Sequence, residues 1–393
     1  MMLVVSVLFA LVAVVLLIPT LSDALSALAL LRGTRRGPGV HAGDTPRLLF
    51  LVPAHDEALL IESCVQSLRQ IRYPESAYRV VVIADNCTDD TAQLALASGA
   101  QCLVRTNPSQ PGKPHAIAWA LSQLTLREYD AVVIVDADTV VDRDFASELA
   151  SAAPLVDKAV QGYNGVSNPD DSHVTRMAAV FADAKCLYAY ELKARAGLNL
   201  PIRLGGCIGT GVLEKHGWNA FSIGEDWELY ALLTIAGVPI ESAPGARVYA
   251  QEAKSLGQSA SQRRRWAAGK FTVLGRVAGA VLRSVNIGAH QKLDVIAELT
   301  APGPVVHLGL VVALSAVLLV AQPPAWTALA AVLALGVLRI VVYTTIALAT
   351  QEKPLRAVLA FLFLPIYSLW RLPVEFSALR MLGDKPWIRT ERH

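Results

Sequence analysis

The first 22 residues carry no charged side chain, and the apolar run continues past a single Asp23 to Leu31. At about 1.5 Å per residue, a helix of that length exceeds a hydrocarbon core of about 30 Å. A cleaved leader would need a basic start and a short apolar stretch. No Lys or Arg precedes Arg32, and the run is too long. The sequence therefore predicts a retained transmembrane anchor over residues 1–31. Arg32, Arg35 and Arg36 follow, and the positive-inside rule places what comes next in the cytoplasm. A Gly- and Pro-containing linker over 32–46 joins the anchor to that part.

The C-terminal third is apolar again. Val305–Val320 and Ala325–Ala349 read as two spans separated by Gln322-Pro323-Pro324. Arg339 lies inside the second and is expected to face protein or snorkel. Leu355–Trp370 is short for a span and contains Pro365. It either crosses or dips in and returns, and the second choice keeps a basic tail, 373–393, in the cytoplasm with the part that follows Arg36. The expectation is a multi-pass protein of the cell membrane, with C-terminal transmembrane or re-entrant helices over 301–372. The segment 271–300 is read as interfacial and amphipathic, with an ordinary packing helix as the equal alternative. These ends explain why only 17% of residues are charged, against roughly 25% in soluble domains. A net charge of +2 gives no basic surface, so no nucleic-acid partner is expected.

Between residues 47 and 270 the pattern alternates strand and helix. Leu48–Val52, Val80–Ala84, Cys102–Val104 and Ala131–Val135 are short, continuously apolar strands. Helices are expected over Ala58–Gln70, Asp90–Ala97 and Ala116–Leu124. Buried apolar strands joined by helices imply an α/β fold with a mostly parallel sheet. Such sheets bind ligands beyond the carboxyl ends of their strands. There the sequence places His55-Asp56-Glu57, Asp85-Asn86-Cys87-Thr88-Asp89-Asp90, and Asp136-Ala137-Asp138. Three acidic clusters at one crevice call for a cation or a hydrogen-bonding ligand. Paired carboxylates two residues apart suit Mg²⁺ or Mn²⁺. No glycine-rich dinucleotide or P-loop signature follows a strand. Five cysteines without metal-ligand spacing read as reduced core residues.

The order of these motifs resembles the membrane-bound glycosyltransferases of family 2. The matching residues are the Pro-Ala-His-Asp-Glu opening, the Asp85–Thr91 run, Gly112-Lys113, Asp136-Ala137-Asp138, Gly224-Glu225-Asp226 and Gln262-Arg263-Arg264-Arg265-Trp266. The last fits the family's QxxRW pattern. The resemblance implies a GT-A nucleotide-sugar-binding fold and inverting transfer from a UDP-sugar. It implies that Glu57, Asp85, Lys113 and Asp136 bind the nucleotide sugar and that Asp138 coordinates the metal. Asp226 would be the catalytic base, and Gln262, Arg265 and Trp266 would hold the diphosphate and frame the acceptor. The family often has Asn where Asp56 stands. The first acceptor to expect is a growing β-linked polysaccharide, extended processively; the alternative is single-sugar transfer to a membrane lipid. An accessory subunit is a further possible partner. A non-catalytic membrane subunit would be expected to lack one of the acids, and none is missing.

Residue chemistry agrees with these roles. An acceptor hydroxyl is a poor nucleophile and needs a base. Glu225 and Asp226 begin a helix, whose N-terminus should lower a carboxylate's pKa. Gln262, Arg265 and Trp266 share one helix face. Arg forks onto phosphate and Trp offers a face for a sugar ring. Arg263 and Arg264 are assigned instead to a lipid-facing basic stripe. Gln161, Asn164 and Asn168 read as an ordinary polar loop, with an acceptor-channel role as the alternative.

Overall fold

The computed structural model describes residues 2–33, 45–253, 256–321, 326–378 and 380. Arg35, Arg36, most of the linker, the Gln322-Pro323-Pro324 turn and the basic end of the tail lie outside the described residues.

Eight strands form one sheet in the order β3-β2-β1-β4-β7-β6-β8-β5. They are β1 (Leu48–Ala54), β2 (Tyr78–Asp85), β3 (Gln101–Arg105), β4 (Ala131–Ile134), β5 (Thr139–Val141), β6 (Ala159–Val166), β7 (Gly206–Gly209) and β8 (Ile240–Ala250). The half built from β3, β2, β1 and β4 is parallel, with Leu48 in register with both Tyr78 and Ala131. β7 pairs antiparallel with β4 and β6, so the sheet is mixed beyond β4. All seven residues of β1 are buried. Leu49 and Leu51 enter one core with Val81, Ile83 and Val132; Leu48, Phe50 and Val52 enter the other with Val80, Val82 and Val133. Period-2 alternation in a sheet covered on both faces requires both sets to be apolar, which is why the strands read as unbroken runs.

The helix Leu256–Arg283 runs unbroken into the first half of the segment expected at the membrane surface, and a second helix, Ala289–Thr300, covers the rest. Val273, Val277 and Val281, spaced four apart, are buried in the same core as Leu49 and Tyr230. The contacts therefore favour a packing helix over an interfacial one for Phe271–Arg283.

Three helical runs, Phe9–Leu31, Trp326–Ala349 and Pro354–Ala378, are long and apolar enough to cross a membrane. Ala289–Thr300 and Pro304–Val320 form a fourth candidate, bent by 83°. The last run is longer than its sequence suggested, because helix resumes after a short turn of 3₁₀ helix at Phe361–Phe363 and continues through Pro373. Phe9, Ala13 and Leu16 pack against Leu318 and Leu333. Arg339 faces protein: its Nε donates to Asp23 Oδ2 at 2.7 Å.

Candidate active site

The carboxyl ends of β1, β2 and β4 open into one cavity of about 990 Å³. All nine residues singled out from the sequence line it: Glu57, Asp85, Lys113, Asp136, Asp138, Asp226, Gln262, Arg265 and Trp266.

Asp56 and Asn86 both lie in the left-handed region, with φ of 53° and 51°. Asp and Asn tolerate that conformation better than other L residues. The Asp56 carboxylate accepts from Thr88 N at 2.6 Å and from Asp89 N at 3.3 Å, clamping the loop after β2. Asp56, Cys87 and Asp89 bring potential metal ligands together, but outside the cavity lining. Glu57 N donates to Thr91 Oγ1 at 2.8 Å.

Asp85 is almost fully buried and forms an ion pair with Arg105. Its second oxygen accepts from Gly112 N at 3.4 Å. Arg105 in turn donates to Gln110 O at 2.8 Å. Asp85 thus fixes the 105–112 loop that delivers Lys113 to the cavity. Gly112, at φ 106°, makes the turn into the Lys113–Gln123 helix.

Lys113 Nζ lies 2.9 Å from Asp136 Oδ1, 3.2 Å from Glu225 Oε1 and 3.6 Å from Asp226 Oδ1. Burial pulls its pKa down, but Asp136, Asp226 and Glu225 outweigh that and hold it well above the usual lysine value. Asp226 moves up to about 7. Burial is the main cause, Glu225 and Asp136 add to it, and Lys113 and Arg203 oppose it. This reverses the expected direction for a carboxylate at a helix start. Desolvation and like charge outweigh the helix dipole, whose effect is at most about 2 kcal/mol.

The helix bearing Gln262, Arg265 and Trp266 meets the start of the Asp226 helix backbone to backbone. A Cβ on Gly224 would lie 2.9 Å from the carbonyl carbon of Gly269. Arg263 pairs with Glu252 and sits over the Trp266 ring, 4.7 Å from its centroid. It lines the cavity, so the lipid-facing assignment made for it from sequence is corrected.

Gln161 and Asn164 belong to β6, not to a loop. Gln161 Oε1 accepts from Arg203 N at 2.6 Å, and Asn164 Nδ2 donates to Leu204 O at 2.7 Å. They hold the turn that points Arg203 into the cavity. Arg105 and Arg203 had no motif to mark them: Arg105 is the last residue of β3, and Arg203 lies shortly before β7.

The family described as glycosyltransferase like family 2 matches residues 46–269, more than half of the chain. The chain belongs to that family. A probable glycosyltransferase of Bacillus subtilis, YdaM, is 25% identical over 245 residues, covering 59% of this chain and 57% of that protein. A beta-monoglucosyldiacylglycerol synthase of Nostoc sp. is 26% identical, covering 58% of this chain and 50% of that protein. A poly-beta-1,6-N-acetyl-D-glucosamine synthase of Staphylococcus aureus is 24% identical, covering 60% and 58%. The chain thus spans little more than half the length of these curated relatives. Among solved structures, a mannosyltransferase from Pyrobaculum calidifontis in complex with GDP-Man and Mn²⁺ superimposes with a TM-score of 0.56 at 20% identity. That match covers 95% of this chain and 96% of the other, and it establishes a shared fold that includes the flanking helices.

Proposed function

We propose that the protein transfers a sugar, with inversion, from a nucleotide sugar to a hydroxyl of a membrane-lodged acceptor. One observation carries this reading. The cavity holding the nine motif residues also touches Tyr343, Thr344 and Tyr367, on two helices long enough to cross a membrane. A water-soluble donor and a lipid-borne acceptor can therefore meet in one space.

In this reading Asp226, in its ionised form, takes the proton of the acceptor hydroxyl as that oxygen attacks the anomeric carbon. The bond from that carbon to the donor diphosphate breaks on the opposite face, and the nucleoside diphosphate leaves. Lys113 and Arg265 hold its developing charge. Glu57, Asp85 and Asp136 line the donor side. Asp136 and Asp138, flanking buried Ala137, offer hard oxygens to a divalent cation. Such a cation, Mg²⁺ or Mn²⁺, would supply Lewis-acid neutralisation of the diphosphate. The Pyrobaculum mannosyltransferase is in complex with GDP-Man and Mn²⁺; UDP-sugars are the donors the family resemblance puts first for this chain. The three candidate spans and the basic residues after Leu31 support a multi-pass protein with a cytoplasmic catalytic domain.

The acceptor reading favoured here is single-sugar transfer to a lipid. Processive polymer synthesis, supported by the QxxRW pattern, ranks second. Purified full chain in lipid, given Mg²⁺ or Mn²⁺ and a panel of nucleotide sugars, separates them by product size. A lipid-extractable product of fixed size is expected. A growing polymer would replace the lipid reading, and no nucleotide release from any donor would remove the transfer reading.

A further inference from the structure

The charge lining the cavity changes sign along its length. Carboxylates gather around Lys113 at the sheet end, whereas cations dominate toward the membrane helices. Several of these cations are already matched. Lys185 Nζ lies 2.9 Å from Glu298 Oε1, Arg339 is taken by Asp23, and Arg263 by Glu252.

Four groups are left over. The Arg203 guanidinium has no hydrogen bond or ion pair among the described residues, while its backbone is held by Gln161. Lys270 Nζ donates to Ala301 O, at 2.7 Å, and stands 5.5 Å from the centroid of the Trp227 ring, with no ion pair among the described residues. Arg371 donates through Nη2 to Glu375 at 3.1 Å, yet its buried Nη1 has no partner among the described residues. His307 Nε2 is buried without a partner among the described residues as well. Arg371 is 7% exposed and His307 2%, so bulk water does not satisfy them. An unmet buried donor costs about 1–3 kcal/mol; the two buried ones, on Arg371 and His307, with the half-buried Arg203 and Lys270 lining the same cavity, point to an anion that meets them. Burial, with Lys185 and Arg339 nearby and Glu298 in opposition, brings Lys270 down to about 8.

A phosphate group suits this set. Its oxygens match two guanidinium forks and an ammonium, and its charge offsets theirs. A neutral headgroup or neutral glycan would leave the cations uncompensated. His307 and Arg371 stand on helices of the candidate membrane part, so the phosphate would be carried by a lipid whose chains lie among those helices.

We propose that Arg203, Lys270, Arg371 and His307 form a binding pocket for the phosphate of a phosphorylated lipid, which is the acceptor. The proposal rests on the transfer reading above and deepens it. The phosphate is bound and takes no part in bond making; a hydroxyl of the same headgroup is presented to Asp226.

The test reads binding without turnover, so its failure is distinct from failure of sugar transfer. Full chain in detergent is incubated with dioleoylphosphatidic acid, dioleoylglycerol or inorganic phosphate, and retained ligand is measured by native mass spectrometry. Phosphatidic acid should be retained at least about tenfold over dioleoylglycerol, as expected for charge-assisted hydrogen bonds. An Arg203→Gln, Lys270→Gln double variant should lose that preference, and Arg203→Lys alone should keep most of it. Calorimetric binding of UDP by the same preparations reports whether each variant is folded. Equal retention of the two lipids overturns the proposal. So does full retention by the double variant, or displacement of the lipid by equimolar inorganic phosphate, which would make this a free-phosphate site.

Discussion

Asp23 and Arg339, 316 positions apart, form an ion pair between the first helix and the Trp326–Ala349 helix, with Arg339 Nε 2.7 Å from Asp23 Oδ2. The pair continues into the catalytic domain. Lys193, 2% exposed, lies 4.0 Å from Asp23 and 2.7 Å from Asp294, whose carboxylate also accepts from Ser22. One buried network thus ties two apolar helices to the Tyr190–Arg195 helix and to Ala289–Thr300. Breaking a buried pair strands a charge and costs roughly 3–5 kcal/mol. Arg339 keeps 18% of its side chain exposed, so the cost is discounted here. Arg339→Leu should destabilise by roughly 2–3 kcal/mol, and Asp23→Leu added to it should restore part of that loss. Thermal unfolding of the four proteins of that cycle in detergent measures the coupling. Additive losses would mean that the two residues act independently.

This pair marks the boundary of what the sequence makes legible. Periodicity located the strands, because a sheet covered on both faces requires continuous apolar runs. The acidic motifs located the crevice, because ligands bind where parallel strands end. Asp23 appeared only as a break in an apolar run, and Arg339 only as a charge in need of protein. Their mutual choice depends on how helices far apart in the chain pack. Arg105 and Arg203 escaped notice for the same reason: each is selected by a distant group, Asp85 and the Gln161 hydrogen bond. The direction of the Asp226 shift was misread because a helix terminus is local and visible in sequence, whereas burial beside Glu225 and Asp136 is not.

The raised Asp226 pKa gives a pH dependence with a defined sign. A base must be ionised, so kcat/KM of the enzyme should rise with pH through about 7. Glu225 raises that pKa and Lys113 lowers it. Glu225→Gln should therefore move the acid limb to lower pH, and Lys113→Met to higher pH. The same shift bears on stability. Asp226 binds its proton more tightly when folded, so its contribution is present below its ordinary value of 3.8 and is lost as pH rises through about 7. Rate profiles for the three proteins test the assignment. Shifts of the same sign in both variants would remove Asp226 as the group titrating in the profile.

Asp226→Asn removes the proposed base while keeping shape. Turnover should fall by about 10²–10⁴, the range of general-base catalysis, with donor KM nearly unchanged. Steady-state kinetics checks both. Turnover within about threefold of the parent would exclude Asp226 from proton transfer.

The Gly224–Gly269 approach predicts a mutation that acts by geometry alone. A Cβ on Gly269 would lie 3.0 Å from Gly224 Cα and 3.2 Å from its nitrogen. Backbone cannot rotate away as a long side chain can, so Gly269→Ala must push the two helices apart. Overpacking of this kind costs about 1–3 kcal/mol. It also moves Arg265 and Trp266 relative to Asp226, and misplacement by about 1 Å can cost 10²-fold in rate. Gly275, on the same helix with nothing within 4 Å of its Cβ position, is the control. Gly275→Ala should stabilise by roughly 0.5–1 kcal/mol through helix propensity and leave turnover unchanged. Equal behaviour of the two variants would rule out the close approach.

Asp138 offers a way to separate the proposed roles of metal and lysine in holding the diphosphate. Lys113 is one charge among three carboxylates, so it cannot alone neutralise both them and a departing diphosphate. If a divalent cation makes up the difference, UDP should bind more tightly with Mn²⁺ or Mg²⁺ than in chelator. Asp138→Ala should abolish that gain, leaving the weaker metal-free affinity intact. Titration calorimetry of UDP with and without metal, on both proteins, reads the difference directly. A metal-dependent gain that survives Asp138→Ala would move the cation to other ligands in the cavity. Equal binding of UDP by the parent protein with and without metal would leave the diphosphate to Lys113 and Arg265.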